Sequence, residues 1–229
     1  NCIRAADIDL DGDMDLILGN EGLNSIFQAS QAQPLTLLSK DFNADGRIDP
    51  IWGLFLKGQE VTIHPLGTLT DQVVQYKKRF RLYKDYSQAG LNDLFTSGDL
   101  KGADILKATE LRSGIARNDG KGNFSFSPLP WAAQLSPVQD ILIADLDADG
   151  LPDILLAGNF YPNEPIFGQS DASCGVFLRG RGKGQFDECP PSESGLQLDG
   201  DVRKMLYLPN QKRIIVSRNQ GEISVLLHR

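Results

Sequence analysis

Histidine, cysteine and long apolar runs are scarce in this 229-residue chain, and each shortage removes a class of function. The two histidines, His64 and His228, stand far apart and outside any carboxylate cluster, so a His-based triad or multi-histidine metal site has little material. Three cysteines, Cys2, Cys174 and Cys189, form no C-x-x-C pair, which excludes a cysteine zinc site and a thioredoxin-type redox centre. Cys174 and Cys189 flank an expected hairpin; they either pair in an oxidising compartment or stay isolated thiols. The longest apolar stretches, such as Ile141–Ala144 and Ile154–Ala157, end far short of the roughly 20 residues a spanning helix needs. They read as strands, and no membrane insertion by this segment is expected. Positive charge is in deficit too: 23 Lys and Arg against 30 Asp and Glu leave a formal charge of −7. That balance argues against a dedicated nucleic-acid binder and against a protein adsorbed to an anionic membrane. The opening residues carry neither an initiator Met nor a signal-peptide core, so the chain is expected to be a piece of a longer protein.

What is abundant is aspartate, in a repeated pattern. Asp7-Ile-Asp-Leu-Asp-Gly-Asp-Met-Asp15, Asp41-Phe-Asn-Ala-Asp-Gly-Arg-Ile-Asp49 and Asp145-Leu-Asp-Ala-Asp-Gly-Leu-Pro-Asp153 all read D-x-[DN]-x-D-G-x-x-D. Short apolar runs lie on both sides of each, which predicts strand, tight carboxylate loop, strand. A second repeat, Arg117-Asn-Asp-Gly-Lys-Gly-Asn-Phe124, recurs as Arg179-Gly-Arg-Gly-Lys-Gly-Gln-Phe186 and suits hairpin turns with positive φ.

Gly182 follows Asp145 by 37 residues whereas Gly120 follows Asp41 by 79, so an insertion of 42 is expected between about residues 58 and 108. Within it Leu69, Val73, Tyr76, Phe80 and Tyr83 form an apolar stripe, which predicts a helix over 71–82 with Thr68 and Asp71 as a capping box. Near the C-terminus Val202–Leu208 aligns on Val138–Ala144 with a shift of 64, but Pro209–Lys212 replaces the carboxylates. This is expected to be a fourth, metal-free copy of the unit. The predicted fold is therefore all-β: three to four β-propeller blades across residues 1–229, with a small helical insertion at 58–108 in the second blade.

Oxygen ligands at alternate positions of a nine-residue loop, with Gly at the sixth, can wrap one hard cation that wants six to eight oxygens. The candidate ligands are Asp7, Asp9, Asp11 and Asp15 with the Asp13 carbonyl. In the second loop they are Asp41, Asn43, Asp45 and Asp49 with the Arg47 carbonyl, and in the third Asp145, Asp147, Asp149 and Asp153 with the Leu151 carbonyl. Calcium, about three ions, is the expected cofactor; Asn43 lowers the charge of the second loop and should weaken it. An EF-hand begins alike but needs a Glu at position 12 and flanking helices. Leu18, Trp52 and Leu156 stand there instead. Three bound Ca²⁺ would bring the formal charge from −7 to about −1.

On these loops the chain resembles the FG-GAP or VCBS repeat family, whose calcium loops also occur in the propellers of integrin α-subunits. Beyond them, Pro34-Leu-Thr-Leu, Lys77-Lys-Arg-Phe, Leu155-Leu-Ala-Gly-Asn-Phe-Tyr161 and Pro190-Pro-Ser-Glu-Ser-Gly195 resemble the C-terminal part of large secreted VCBS-repeat proteins of Bacteroidetes-type bacteria. The resemblance implies a calcium-stabilised propeller, an extracellular, cell-surface or periplasmic location, and a longer parent chain. It implies no known reaction. No constellation of base, nucleophile and oxyanion donors is left over once the loops are assigned, so the chain is expected to be a non-catalytic binding or scaffold module. Its partners would be the rest of the parent protein and an extracellular protein or polysaccharide. The alternative is a carbohydrate-binding or polysaccharide-processing role, using exposed aromatics (Trp52, Trp131, Phe160, Tyr161) or the basic-aromatic run Gln75–Lys84 with Tyr76, Tyr83 or His64 as a base. Nucleic-acid binding through that run is opposed by the acidic remainder.

Overall fold

The computed structural model describes residues 1–80, 82–165 and 167–227. His228 and Arg81 of the basic run therefore lie outside the described residues. In chain order the elements begin with strands β1 (Cys2–Ala6), β2 (Asp15–Gly19), β3 (Leu35–Lys40), β4 (Asp49–Leu56) and β5 (Gln59–Thr62). Short helices α1 (Leu66–Gln72), α2 (Tyr76–Arg79), α3 (Tyr83–Tyr86) and α4 (Leu91–Leu94) follow. Next come β6 (Asp104–Ala108), β7 (Gly114–Asn118), β8 (Phe124–Pro128), β9 (Val138–Ala144), β10 (Asp153–Gly158), β11 (Val176–Gly180) and β12 (Phe186–Cys189). Helix α5 (Pro191–Ser194) and strands β13 (Val202–Leu208), β14 (Arg213–Arg218) and β15 (Ser224–Leu227) close the chain. It divides into two compact units, residues 1–26 with 112–229, and residues 27–111.

The first unit contains three antiparallel sheets in the orders β1-β2-β7-β8, β9-β10-β11-β12 and β13-β14-β15. Strand β10 shows how they pack. It is buried on both faces, and alternation along a strand sends successive side chains to opposite sides. Ile154 and Leu156 enter a core with Ile17, Ile115 and Leu178, whereas Leu155 and Ala157 enter another with Val202, Met205 and Val216. The leading strands of the three sheets meet at Asp140, whose side chain is fully buried. Its carboxylate accepts from Arg4 Nη2 at 2.6 Å, from Lys204 Nζ at 3.2 Å and from the Met205 N–H at 2.7 Å. A buried carboxylate is tolerated because these donors replace its water shell.

In the second unit the sheet runs β5-β4-β3-β6. Leu38 and Ile51 of this sheet pack with Leu69, Val73, Tyr76, Leu91, Leu94 and Phe95 from the helical segment.

The architecture is all-β with blade-like sheets, as read from the loops and their flanking strands, and no closed propeller is formed among the described residues. The shift of 64 also holds, since β13 occupies the residues that β9 predicts and joins β14 through the turn Pro209–Gln211. Two expectations are corrected. The Gly120 hairpin does not complete the sheet of the second loop: β7 pairs with β2, in the register Leu16↔Ala116, Ile17↔Ile115, Leu18↔Gly114. The second unit, with its own carboxylate loop, is thus spliced between the second and third strands of the first sheet. Residue spacing counts the excess chain but does not say which strand the returning segment joins. The helix over 71–82 is likewise replaced by three shorter pieces, α1 to α3, and Leu66 rather than Asp71 opens the first of them. No side-chain cap holds any of the three, and Val73 leaves the helical region at φ −128°. Without caps, a segment that includes the β-branched pair Val73-Val74 gains little from continuing as one helix. Leu69, Val73 and Tyr76 still reach the core, but Tyr83 is exposed. All three cysteines are free thiols, Cys174 exposed and Cys189 buried.

Candidate metal centres

Each carboxylate loop closes between the first two strands of a sheet, and one hydrogen-bonding scheme recurs in all three. The first-position aspartate folds its carboxylate over the loop. Through Oδ1 it accepts the fifth residue's N–H (Asp7 from Asp11 3.2 Å, Asp41 from Asp45 3.1 Å, Asp145 from Asp149 3.1 Å). Through Oδ2 it accepts the glycine N–H (Gly12 3.0 Å, Gly46 2.8 Å, Gly150 3.1 Å). The fifth-position carboxylate then accepts the seventh residue's N–H, from Asp13 at 2.9 Å, Arg47 at 2.9 Å and Leu151 at 2.8 Å. The turn needs two left-handed residues. Leu10, Ala44 and Ala148 take φ of 64°, 60° and 62°, and Gly12, Gly46 and Gly150 take 100°, 86° and 87°. Glycine is required at the sixth position because a side chain is strained there.

The ninth aspartates, Asp15, Asp49 and Asp153, are the buried members. Each accepts through Oδ2 from the second loop residue: Ile8 at 3.4 Å, Phe42 at 2.9 Å and Leu146 at 2.8 Å. In the first and third loops Oδ1 also accepts from the adjoining third strand, Asn118 N–H at 2.8 Å and Gly180 N–H at 2.8 Å. The ninth residue therefore ties loop to sheet.

The third position varies. Asp9 Oδ1 is buried and has no hydrogen-bond partner. Asn43 accepts the Asp45 N–H at 2.9 Å and donates to Asp45 Oδ2 at 3.2 Å and to the Gln72 carbonyl at 2.9 Å. Asp147 accepts the Asp149 N–H at 3.3 Å and faces Arg179, whose Nε lies 3.0 Å from Oδ2. Carboxylate oxygens of Asp7, Asp9 and Asp15 come within 4.8 Å of one another, as do those of Asp145, Asp147 and Asp149. An all-oxygen donor set this compact suits a hard divalent cation, and the orphaned Asp9 oxygen is an unused ligand aimed at such a site. Burial pushes the Asp9 carboxyl above its ordinary value, reinforced by the negative charges of Asp11 and Asp15. Burial raises Asp153 as well, against the two N–H groups it accepts. Asp41 moves down, mainly through the Gly46 N–H.

Arg117 and Arg179 are the site residues that the ligand pattern alone missed. Their signal was the arginine heading each Gly-rich hairpin. Other singled-out groups lie elsewhere. Trp131 is 62% exposed and Trp52 39%, while Phe160 sits under the Arg203 guanidinium at 5.1 Å. In the basic run Arg79 donates to the Leu94 carbonyl at 2.7 Å and lies 3.7 Å from Asp99; Lys77 lies 3.7 Å from Asp71. Tyr76 is buried, and desolvation pushes its hydroxyl up to about 12, far from the range of a general base. His64 Nε2 accepts the Trp52 N–H at 3.2 Å.

No helix among the described residues is long and apolar enough to cross a membrane. Among known proteins, no curated protein and no solved structure matches the chain. One family does, the FG-GAP-like repeat, over residues 85–156. That span includes β6 to β9, the third carboxylate loop and the start of β10. Residues 85–156 are thus similar to an FG-GAP-like repeat, and the third carboxylate loop lies within the matched span.

Proposed function

We infer that the chain is a calcium-binding, non-catalytic binding or scaffold module of a larger secreted or surface protein. The observation that carries this reading is the recurrence of one loop geometry three times, with convergent carboxylates in two of the loops. The FG-GAP-like repeat supports it. Asp7, Asp9, Asp11, Asp15 and the Asp13 carbonyl would hold the first ion. Asp41, Asn43, Asp45, Asp49 and the Arg47 carbonyl would hold a second, and Asp145, Asp147, Asp149, Asp153 and the Leu151 carbonyl a third. When bound, the ions neutralise carboxylates that otherwise repel one another within single turns. The first and fifth positions already hold the loop backbone, and the ninth fastens it to the sheet. The ion is a staple on a preformed turn.

Calcium sites of extracellular modules bind at about 10⁻⁴ to 10⁻³ M, which matches a calcium-rich exterior and fails in cytosol. The test is a thermal melt from chelator to about 5 mM calcium, a range set by such sites. A rise in Tm that follows calcium and is not reproduced by magnesium at the same concentration supports the reading; no rise contradicts it.

A polysaccharide-binding variant of this function draws on Trp131, the more exposed of the two tryptophans. Binding to a glycan array that Trp131→Ala abolishes would support it. Retention of that binding would remove Trp131 from the account.

A further inference from the structure

The two loops of the first unit are served by equivalent arginines that the structure holds differently. Arg117 and Arg179 each head the Gly-rich hairpin beyond the third strand of their sheet. Arg179 keeps its guanidinium on the loop: Nε lies 3.0 Å from Asp147 Oδ2, with both side chains about one third exposed. Nε makes no aligned hydrogen bond, so charge holds the pair. The Arg179 Nη2 rests 3.8 Å from the buried Cys189 Sγ. Arg117 is tethered instead, its Nη2 donating to the Gly184 carbonyl on the hairpin of the adjacent sheet, and it acts on Asp9 only through its charge. Gly184 makes room for it, because a Cβ there would come within 2.8 Å of that nitrogen. Asp9, the counterpart of Asp147, is left with its buried Oδ1 unpaired.

We propose that Arg179 is a built-in competing cation for the third loop, whereas the tether of Arg117 to Gly184 holds the equivalent guanidinium off the open oxygen of Asp9, so that the two loops fill with calcium in order, first before third. The inference rests on the calcium reading above and concerns how that site is regulated. A divalent ion entering the third loop must displace the guanidinium from Asp147 or stay beside it, and either costs affinity. At Asp9 Oδ1 no partner has to be displaced.

The test is a calcium titration of the ¹⁵N-labelled chain, following the amides of Gly12 and Gly150 as separate reporters of the two loops. In the wild type, Gly12 is expected to saturate at lower calcium than Gly150. Arg179→Gln should lower the Gly150 midpoint about two- to fivefold, the scale of a partly exposed ion pair, and leave Gly12 unmoved. Arg179→Lys, which keeps the charge, should stay near the wild type. Lys107→Gln, the same charge change on an exposed strand of the other unit, should move neither. Equal midpoints in the wild type, or a Gly150 midpoint unchanged in Arg179→Gln, would overturn the proposal while leaving calcium binding intact. No calcium response at either glycine would overturn the calcium reading and the proposal with it. Should Arg179→Gln fail to fold, the filling order of the wild type decides alone.

Discussion

At the scale of single residues, the loops divide labour among carboxylates that look alike in sequence. Asp153 is fully buried and both its oxygens accept backbone N–H groups, from Leu146 and Gly180. Asparagine has one acceptor oxygen where aspartate has two, so Asp153→Asn leaves one N–H facing an amide NH₂. Unfolding in urea with chelator present should show a loss of about 1–3 kcal/mol, the cost of an unsatisfied buried donor. A loss below about 0.5 kcal/mol, the level of an ordinary surface change, would mean that Asp153 does not clamp the sheet. Asp9 differs in its partners: its buried Oδ1 has none, and its carboxyl is raised by burial and by the like charges of Asp11 and Asp15. A raised acid binds its proton more tightly in the folded state, so its contribution is fully present below the unfolded value near 3.8 and is lost as pH rises through the folded value. In chelator, the stability of the wild type relative to Asp9→Asn should therefore fall as pH rises from 3.8, and saturating calcium at neutral pH should reverse the sign. A pH-independent difference between the two proteins would contradict this. The spacing D-x-[DN]-x-D-G-x-x-D made every candidate ligand legible, since it fixes which residues share a turn. It could not show that the ninth residue spends its oxygens on the backbone, because Asn118 and Gly180 arrive from a strand far along the chain.

At the scale of elements, β10 is the strand on which two cores depend. Leu155 and Leu156 point to opposite sides, so Leu155→Ala and Leu156→Ala each open a cavity against a different neighbouring sheet. Each should cost about 2–5 kcal/mol by chemical denaturation, and the double variant should approach the sum if the two cores are independent. A marginal effect from either would mean that sheet faces are less tightly packed than β10 implies. Strand identity was readable here from short apolar runs broken by Asp and Gly. Helix length was not. The 4-3-4-3 spacing of Leu69, Val73, Tyr76, Phe80 and Tyr83 names a buried stripe, and the first three do pack with Leu94 and Phe95. The same spacing survives a chain that breaks and restarts. What decides continuity is caps and local propensity, and α1 to α3 have no side-chain caps.

At the scale of the whole molecule, charge and topology meet in the loops. Twelve of the 30 acidic residues belong to them, so without a bound cation repulsion is concentrated at the turns that join the first two strands of three sheets. Blade-like sheets and their number of carboxylate loops followed from internal repeats. The insertion of residues 27–111 in the chain between β2 and β7 did not, because pairing of β7 with β2 is a long-range event that leaves no local mark.

The most direct test of the calcium account is native mass spectrometry of the chain in millimolar calcium, with the first-position variants Asp7→Asn, Asp41→Asn and Asp145→Asn alongside it. The account predicts up to three bound ions in the wild type and the loss of one ion in each variant. A wild type that stays metal-free, or ions that persist unchanged in all three variants, would contradict it.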